Sequence, residues 1–307
     1  MINKVEYAPR QTALGGVPAV VIEGVSDFDV QKTFDCGQCF RFERVEDSAH
    51  EMEFGGVAYG RCISVAQDGD TLYIYNSDEA DFYNIWQSYL GLDTDYAAIC
   101  DDILSRSDNR ALREAVLVGR GIRILRQQEW ETVCSFIISQ NNNIPRIKKI
   151  IAALSEKYGK RIDATGMERH GAPDGVAYGF PDAETLFAAG VDNIFALKTG
   201  FRAKYIVDAA QKCAEGAVEL DRLSGLSVAE AAERLKDIKG IGDKVAACSL
   251  LFGFGKLDAF PVDVWIKKVI ARYFGEGFTA ASLGPYAGVA QQFLFYYERW
   301  LGGEQNA

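Results

Sequence analysis

Two residues in this chain have the chemistry of a covalent catalyst and its helper. Lys244 follows Gly240-Ile241-Gly242-Asp243, and Asp263 lies nineteen residues later in Pro261-Val262-Asp263-Val264. An amine is a nucleophile only when neutral, so a reactive Lys244 calls for burial and a helix N-terminus that lower its pKa. Attack by such an amine on the C1′ carbon of a nucleoside sugar would expel the base and leave a Schiff base. A nearby aspartate would stabilise the oxocarbenium-like charge and manage protons. The same residues also fit plainer roles. Lys244 could be a solvated helix lysine. Asp263 could cap the helix expected from Val264 to Phe274, with Pro261 just ahead of it.

The elements around these residues are legible. Ser227-Val228-Ala229-Glu230 forms a capping box, with Leu226 placed as a hydrophobic staple. It opens a helix expected to stop near Lys239, and a second helix is predicted from Lys244 to Phe252. Gly240 and Gly242 would make the tight turn between them, a helix-hairpin-helix. The free N–H groups and helix dipole there suit a phosphate without reading base sequence. An ordinary corner between two helices would look much the same.

The N-terminal third reads as an antiparallel meander with one face in water. Val20–Ile22, the alternating pairs around Phe40 and Phe42, those around Met52 and Phe54, and Leu72–Tyr75 mark strands. Helical period begins near residue 79, with Phe82, Ile85, Trp86, Tyr89 and Leu90 on one face. Beyond 125 the chain is predicted almost entirely helical, with a Gly-rich loop over 164–181. Pro145 fits the first turn of a helix, and Asn143 fits its N-cap.

Composition narrows the function classes. The 307 residues are 48% hydrophobic and 25% charged, enough for a packed core. No apolar run reaches the roughly 20 residues of a membrane span, and the first residues lack the apolar stretch of a leader. Two histidines, His50 and His170, argue against a His-rich metal site. Seven scattered cysteines point to a reducing compartment rather than a disulfide framework. Cys36 and Cys39 have the spacing of a redox or zinc pair, but no second pair accompanies them. The net charge is −10, yet residues 117–212 hold 14 basic and 10 acidic side chains. An acidic protein thus carries a basic middle, with Arg146, Lys148, Lys149, Phe201, Arg202 and Lys204 in it.

Five segments together resemble the helix-hairpin-helix DNA glycosylase superfamily, and within it the 8-oxoguanine DNA glycosylases. They are FDCGQCFRF (34–42), GIRILRQQEWETVCSFIISQNNNIPRI (121–147), GFRAKYI (200–206), LKDIKGIGDKVAACSLLFGFGKLDAFPVDVWI (235–266) and GPYAGVAQQFLF (284–295). The resemblance implies that Lys244 is the Schiff-base nucleophile and Asp263 the assisting carboxylate. It implies that the Gly37 carbonyl accepts from the N7–H that 8-oxoguanine has and guanine lacks. Phe295 and Cys248 would sandwich the flipped base, and Gln291 would read its Watson–Crick edge. Asn141 would fill the gap in the duplex, Arg146 and Arg202 would bond the orphaned cytosine, and Phe201 would wedge into the stack. Gly240 and Gly242 would hold a DNA phosphate.

This chain has Phe201 where animal members carry tyrosine, and Trp265 where they carry histidine. The four-cysteine cluster of the endonuclease III branch is absent, so no iron–sulfur cluster of that kind is expected. No metal or organic cofactor is required, and a structural monovalent or divalent cation on the hairpin carbonyls is compatible with the resemblance.

The resulting expectation is an α+β protein. Residues 1–116 form a twisted antiparallel β-sheet domain contributing to the base pocket. Residues 117–307 form a helical catalytic domain whose C-terminal helices pack back on the first. The expected partner is double-stranded DNA containing 8-oxoguanine opposite cytosine. A monomer is expected, with no membrane, inside the cell (cytoplasm or nucleoid if bacterial). Two rivals stand beside this reading. An alkyl-base glycosylase attacking with water would not need Lys244. A non-catalytic DNA clamp would need none of the pocket residues.

Overall fold

The computed structural model describes residues 5–304. The apolar alternation of the N-terminal third produces six strands. These are β1 (Arg10–Leu14), β2 (Val17–Ile22), β3 (Phe42–Arg44), β4 (Met52–Ala58), β5 (Arg61–Asp68) and β6 (Thr71–Tyr75). They pair antiparallel in the order β1-β2-β6-β5-β4-β3. A short helix, α1 (Val30–Asp35), links β2 to β3 and is capped by Asp29, whose side chain accepts from Lys32 N. One sheet face, with Val20, Ile22, Ile63, Val65, Leu72 and Ile74, packs on Phe34, Phe82, Trp86 and Tyr89. Helical turns over 79–89 supply the last three, as their spacing predicts, with a π-turn at Phe82–Trp86.

The helices that follow are α2 (Tyr96–Arg106), α3 (Arg110–Gly119), α4 (Glu129–Ser139), α5 (Ile144–Tyr158), α6 (Ala183–Ile194) and α7 (Ala203–Ala214). After a short turn at Leu220–Leu223 come α8 (Val228–Lys236), α9 (Asp243–Gly253), α10 (Val264–Tyr273) and α11 (Ala287–Glu304). Ile147, Ile150, Ile151 and Leu154 of α5 bury one face together, Pro145 lies in its first turn, and Asn143 caps it. The α2 and α3 side chains Ile99, Ile103, Leu112 and Val116 share one core with α4, α9 and α11. Residue 116 therefore lies inside a helix that packs on the helical body.

The structure corrects two sequence expectations. The second sheet face is not left in water, and the Gly-rich stretch 164–181 is not merely a loop. Its flanks pair as a small hairpin, β7 (Arg161–Asp163) with β8 (Val176–Tyr178). Its middle lies across the sheet. Ala164, Met167 and Ala172 pack on Val17, Ala19, Val57, Cys62 and Ala66. The approach is close enough that a Cβ on Gly55 would stand 2.0 Å from the His170 carbonyl oxygen. Sequence period could not reveal this, because the covering segment has no period and lies about a hundred residues away.

A polar clasp locks the covering segment. The Glu53 carboxylate, only 1% exposed, pairs with His170 Nδ1 at 2.5 Å and accepts from the Ser48 and Ser64 hydroxyls. The His170 ring stacks on Tyr75 at 4.3 Å. Burial raises the Glu53 pKa, but the hydrogen bonds from His170, Ser48 and Ser64 outweigh it and hold the carboxyl below its usual range. A carboxylate depressed in the folded state adds stability above its unfolded pKa, and that stability is lost as pH falls through the folded value. The wild-type protein should therefore lose stability on acidification below about pH 4.5. Glu53→Gln should cost about 1–3 kcal/mol near neutral pH and show a flatter acid limb. Thermal unfolding across a pH series measures both.

Candidate active site

The hairpin predicted from the Gly-Ile-Gly run is present between α8 and α9, with the capping box at Ser227 formed. Its two glycines do different work. Gly240 has φ +83°, and a Cβ there would come within 2.4 Å of the Tyr205 ring. Gly242 is extended (φ −105°, ψ −175°) and caps α9 without a side-chain hydrogen bond. Nothing lies within 4 Å of where its Cβ would be. The first N–H groups of α9 are thus left for an anion, with open space in front of the cap.

Lys244 stands in the first turn of α9 and reaches back toward α4. Its Nζ donates to Ser139 Oγ at 3.3 Å and lies 5.4 Å from the centroid of the Phe136 ring. One turn on, Cys248 is buried. Burial pushes its thiol up to about 11, against the lowering effect of the neighbouring Lys244 ammonium. The Asp263 charge also reaches this thiol and raises it, so Lys244, Cys248 and Asp263 share one locality. Asp263 is the N-cap of α10, its Oδ1 accepting from Ile266 N at 2.8 Å. The capping role is thus real and fixes the carboxylate's direction. Trp265, two residues on, is half exposed, with the Lys268 ammonium 4.8 Å from its ring centroid.

Gly37, in the loop after α1, meets the C-terminal helix α11. Gly37 has φ +83°. A Cβ on it would touch Ile144 Cδ1 at 3.6 Å and Phe295 Cε1 at 3.8 Å. Gly37 and Phe295 therefore meet although 258 residues separate them. Gln291, one turn earlier on α11, is 5% exposed. Its Oε1 is buried and finds no hydrogen-bond partner among the described residues.

A second group of predicted residues surrounds the end of α4. Asn141 has φ +48°, a left-handed conformation that asparagine tolerates. Phe201 is 46% exposed and sits under the Arg202 guanidinium at 4.4 Å. Arg202 itself is 3% exposed. It donates to Thr199 O, Gln140 O and Asn141 O. Its guanidinium builds the Asn141 turn, and one of its five N–H groups makes no hydrogen bond among the described residues. Desolvation and the nearby Arg146 charge lower its pKa. Arg146 is exposed at the start of α5, with Nη2 on Lys198 O at 3.3 Å. Lys148, counted in the basic block, is not free for phosphate: it donates to Phe42 O and pairs with Glu43, both at 2.7 Å.

Comparison with known proteins gives the family. The family model described as the 8-oxoguanine DNA glycosylase N-terminal domain matches residues 20–133, and that of the HhH-GPD superfamily of base excision DNA repair proteins matches 134–279. The structure of MBOgg1 in complex with a low affinity DNA ligand superposes with a TM-score of 0.86 at 40% identity. The match covers 97% of this chain and 100% of that one. The chain belongs to the 8-oxoguanine DNA glycosylase family. The Clostridium acetobutylicum 8-oxoguanine glycosylase/lyase, in complex with DNA containing cytosine opposite 8-oxoguanine, gives a TM-score of 0.84 at 35% identity over 100% of both chains. The N-glycosylase/DNA lyase of Saccharomyces cerevisiae is 35% identical over 196 residues, so the chain spans about half (49%) of that relative's length.

As a member of this family, the chain also places residues at the site that sequence reading passed over. Ser139 and Phe136 seat the lysine from within a segment that reads as ordinary amphipathic helix. Gln38 is fully buried. Its Nε2 donates to Thr33 O and Arg123 O, and its Oε1 accepts from Leu125 N. The only sequence signal for Gln38 is its place beside Gly37.

The two hairpin glycines should separate cleanly on substitution. Gly240→Ala combines a left-handed backbone with a ring clash and should cost about 2–4 kcal/mol. Gly242→Ala meets neither problem and should change stability by less than about 1 kcal/mol. Chemical denaturation of both variants measures the difference.

Proposed function

We propose that this protein is a bifunctional DNA glycosylase/AP lyase that excises 8-oxoguanine opposite cytosine from duplex DNA. It acts as a monomer inside the cell. The observation that carries this reading is Lys244. Its amine lies at the start of a helix whose N-terminus can take a phosphate, in one locality with Cys248 and the fixed Asp263 carboxylate. The family's named relatives support the substrate. The residues assigned to the base pocket, Gly37, Cys248, Gln291 and Phe295, all come from a single chain, which supports a monomer. Seven free cysteines support a reducing compartment. No described helix is long and apolar enough to cross a membrane.

In the proposed reaction the duplex binds through the Gly240–Gly242 hairpin. Phe201 wedges into the stack and Asn141 fills the gap. Arg146, and Arg202 through its uncommitted N–H, bond the orphaned cytosine. The flipped base enters between Cys248 and Phe295. The Gly37 carbonyl accepts its N7–H, and Gln291 pairs with its Watson–Crick edge. Guanine has an acceptor at N7, so it would face the carbonyl with like against like.

Lys244 must reach the reacting state as a neutral amine. Its nitrogen then attacks C1′, and the bond from C1′ to the base breaks. The electron pair and a proton leave with the base. Asp263 stabilises the positive charge developing on the sugar. Ring opening gives the Schiff base. Loss of a C2′ proton then expels the 3′ phosphate, and hydrolysis of the imine returns Lys244. The lysine supplies both nucleophile and electron sink, so neither step calls for a metal or organic cofactor.

Borohydride trapping with a labelled duplex carrying 8-oxoguanine opposite cytosine tests this directly. A covalent adduct is expected for the wild type, none for Lys244→Gln, and none with undamaged duplex. Base release without any adduct would overturn the lysine mechanism in favour of water attack. Binding with neither release nor adduct would leave a clamp. Asp263→Asn tests the carboxylate separately. Asparagine caps a helix about as well as aspartate, so stability should hold within about 1 kcal/mol. Base release should fall about 10²-fold or more.

A further inference from the structure

The helix α1 ends at Asp35, and its terminal carbonyls need partners. They find them on α11, at the far end of the chain. Gln292 Nε2 donates to Cys36 O at 3.0 Å. Arg299 Nη1 donates to Asp35 O at 3.2 Å. Gln292 is 3% exposed, whereas Arg299 is exposed at the surface. These two side chains sit three residues before and four residues after Phe295 on α11, so one helix face carries the base-stacking ring and both carbonyl anchors. The Arg299 guanidinium also lies 5.9 Å from the Phe295 ring centroid and 3.8 Å from where a Gly37 Cβ would be.

The next peptide is held too. The Gln38 side chain is anchored on Thr33, Arg123 and Leu125. The Gly37 peptide thus lies between anchors on both sides, and the left-handed φ of Gly37 makes the turn between them possible. Two carbonyls in succession are pinned by α11, and the next, that of Gly37, takes no hydrogen bond from a described residue.

We propose that Gln292, assisted by Arg299, is a positioning residue that aims the Gly37 carbonyl and thereby sets the preference for the 8-oxo base. Neither residue touches the substrate in this scheme. Both act through the 35–38 peptide planes, and the inference rests on the function proposed above. An acceptor that discriminates one N–H from a lone pair must be held in direction, because hydrogen-bond strength falls steeply with misalignment.

The test compares two activities of the same protein. One is single-turnover release of 8-oxoguanine. The other is borohydride trapping on an abasic duplex, which presents no base to the Gly37 carbonyl. Gln292→Met keeps the side-chain volume but removes the donor. It should lower the ratio of base release to abasic trapping about tenfold. Arg299→Met, at an exposed position where folding is not at stake, should lower it about threefold. In a Lys244→Gln background, the binding preference for lesion over undamaged duplex should shrink in the same order. A ratio within twofold of wild type for both variants would overturn the proposal, as would a parallel fall in both activities. Wild-type protein that released no 8-oxoguanine would sink the functional reading itself, and the inference with it.

Discussion

A base gripped outside the helix needs walls on both sides, and the walls proposed here, Gly37 on one and Cys248 and Phe295 on the other, come from distant parts of the chain that must be held in register. That register depends on the buried amide of Gln38. It ties the loop carrying Gly37 to the irregular segment 121–128, which threads between sheet and helices. Arg123 reinforces the junction by donating to the carbonyls of Ser26, Asp27, Gly91 and Thr94. In an interior of low dielectric such bonds are strong when complete and costly when broken. The two walls are therefore placed by polar satisfaction as much as by apolar packing.

The residues proposed for catalysis rest on helix ends. The α9 N-terminus brings N–H groups without a side-chain cap and the Lys244 amine to the same turn of helix. The α10 N-terminus fixes Asp263, because a capping carboxylate cannot swing freely. Ser139, at the end of α4, receives the lysine from across the core. Each of these groups is oriented by a backbone requirement that would exist without any reaction. That is why the site can be rigid on elements that are individually short.

The segment 159–182 has a different task. It leaves the helical domain, covers the outer face of the sheet, and returns. Both histidines of the chain end in the polar network beneath it: His170 on Glu53, and His50 on Asp68 and Tyr75. The basic surface is also narrower than composition suggests, since Lys148 is spent on β3. Exposed Arg146 and Phe201 remain at the turn that Arg202 builds.

Much of this protein was legible in its residues alone. Apolar period marked most strands and helices, the capping box and Gly-x-Gly run marked the hairpin, and motif order marked the family. These signals are local, because propensity, capping and period act within a few residues. The pocket is a different matter. That Gly37 meets Phe295, that Gln292 and Arg299 hold the carbonyls beside Gly37, and that a periodless loop covers the sheet are contacts across roughly a hundred residues or more. No local preference encodes such contacts. They follow from which orphaned carbonyls and bare apolar faces come together once the chain is compact, so only the tertiary structure decided them.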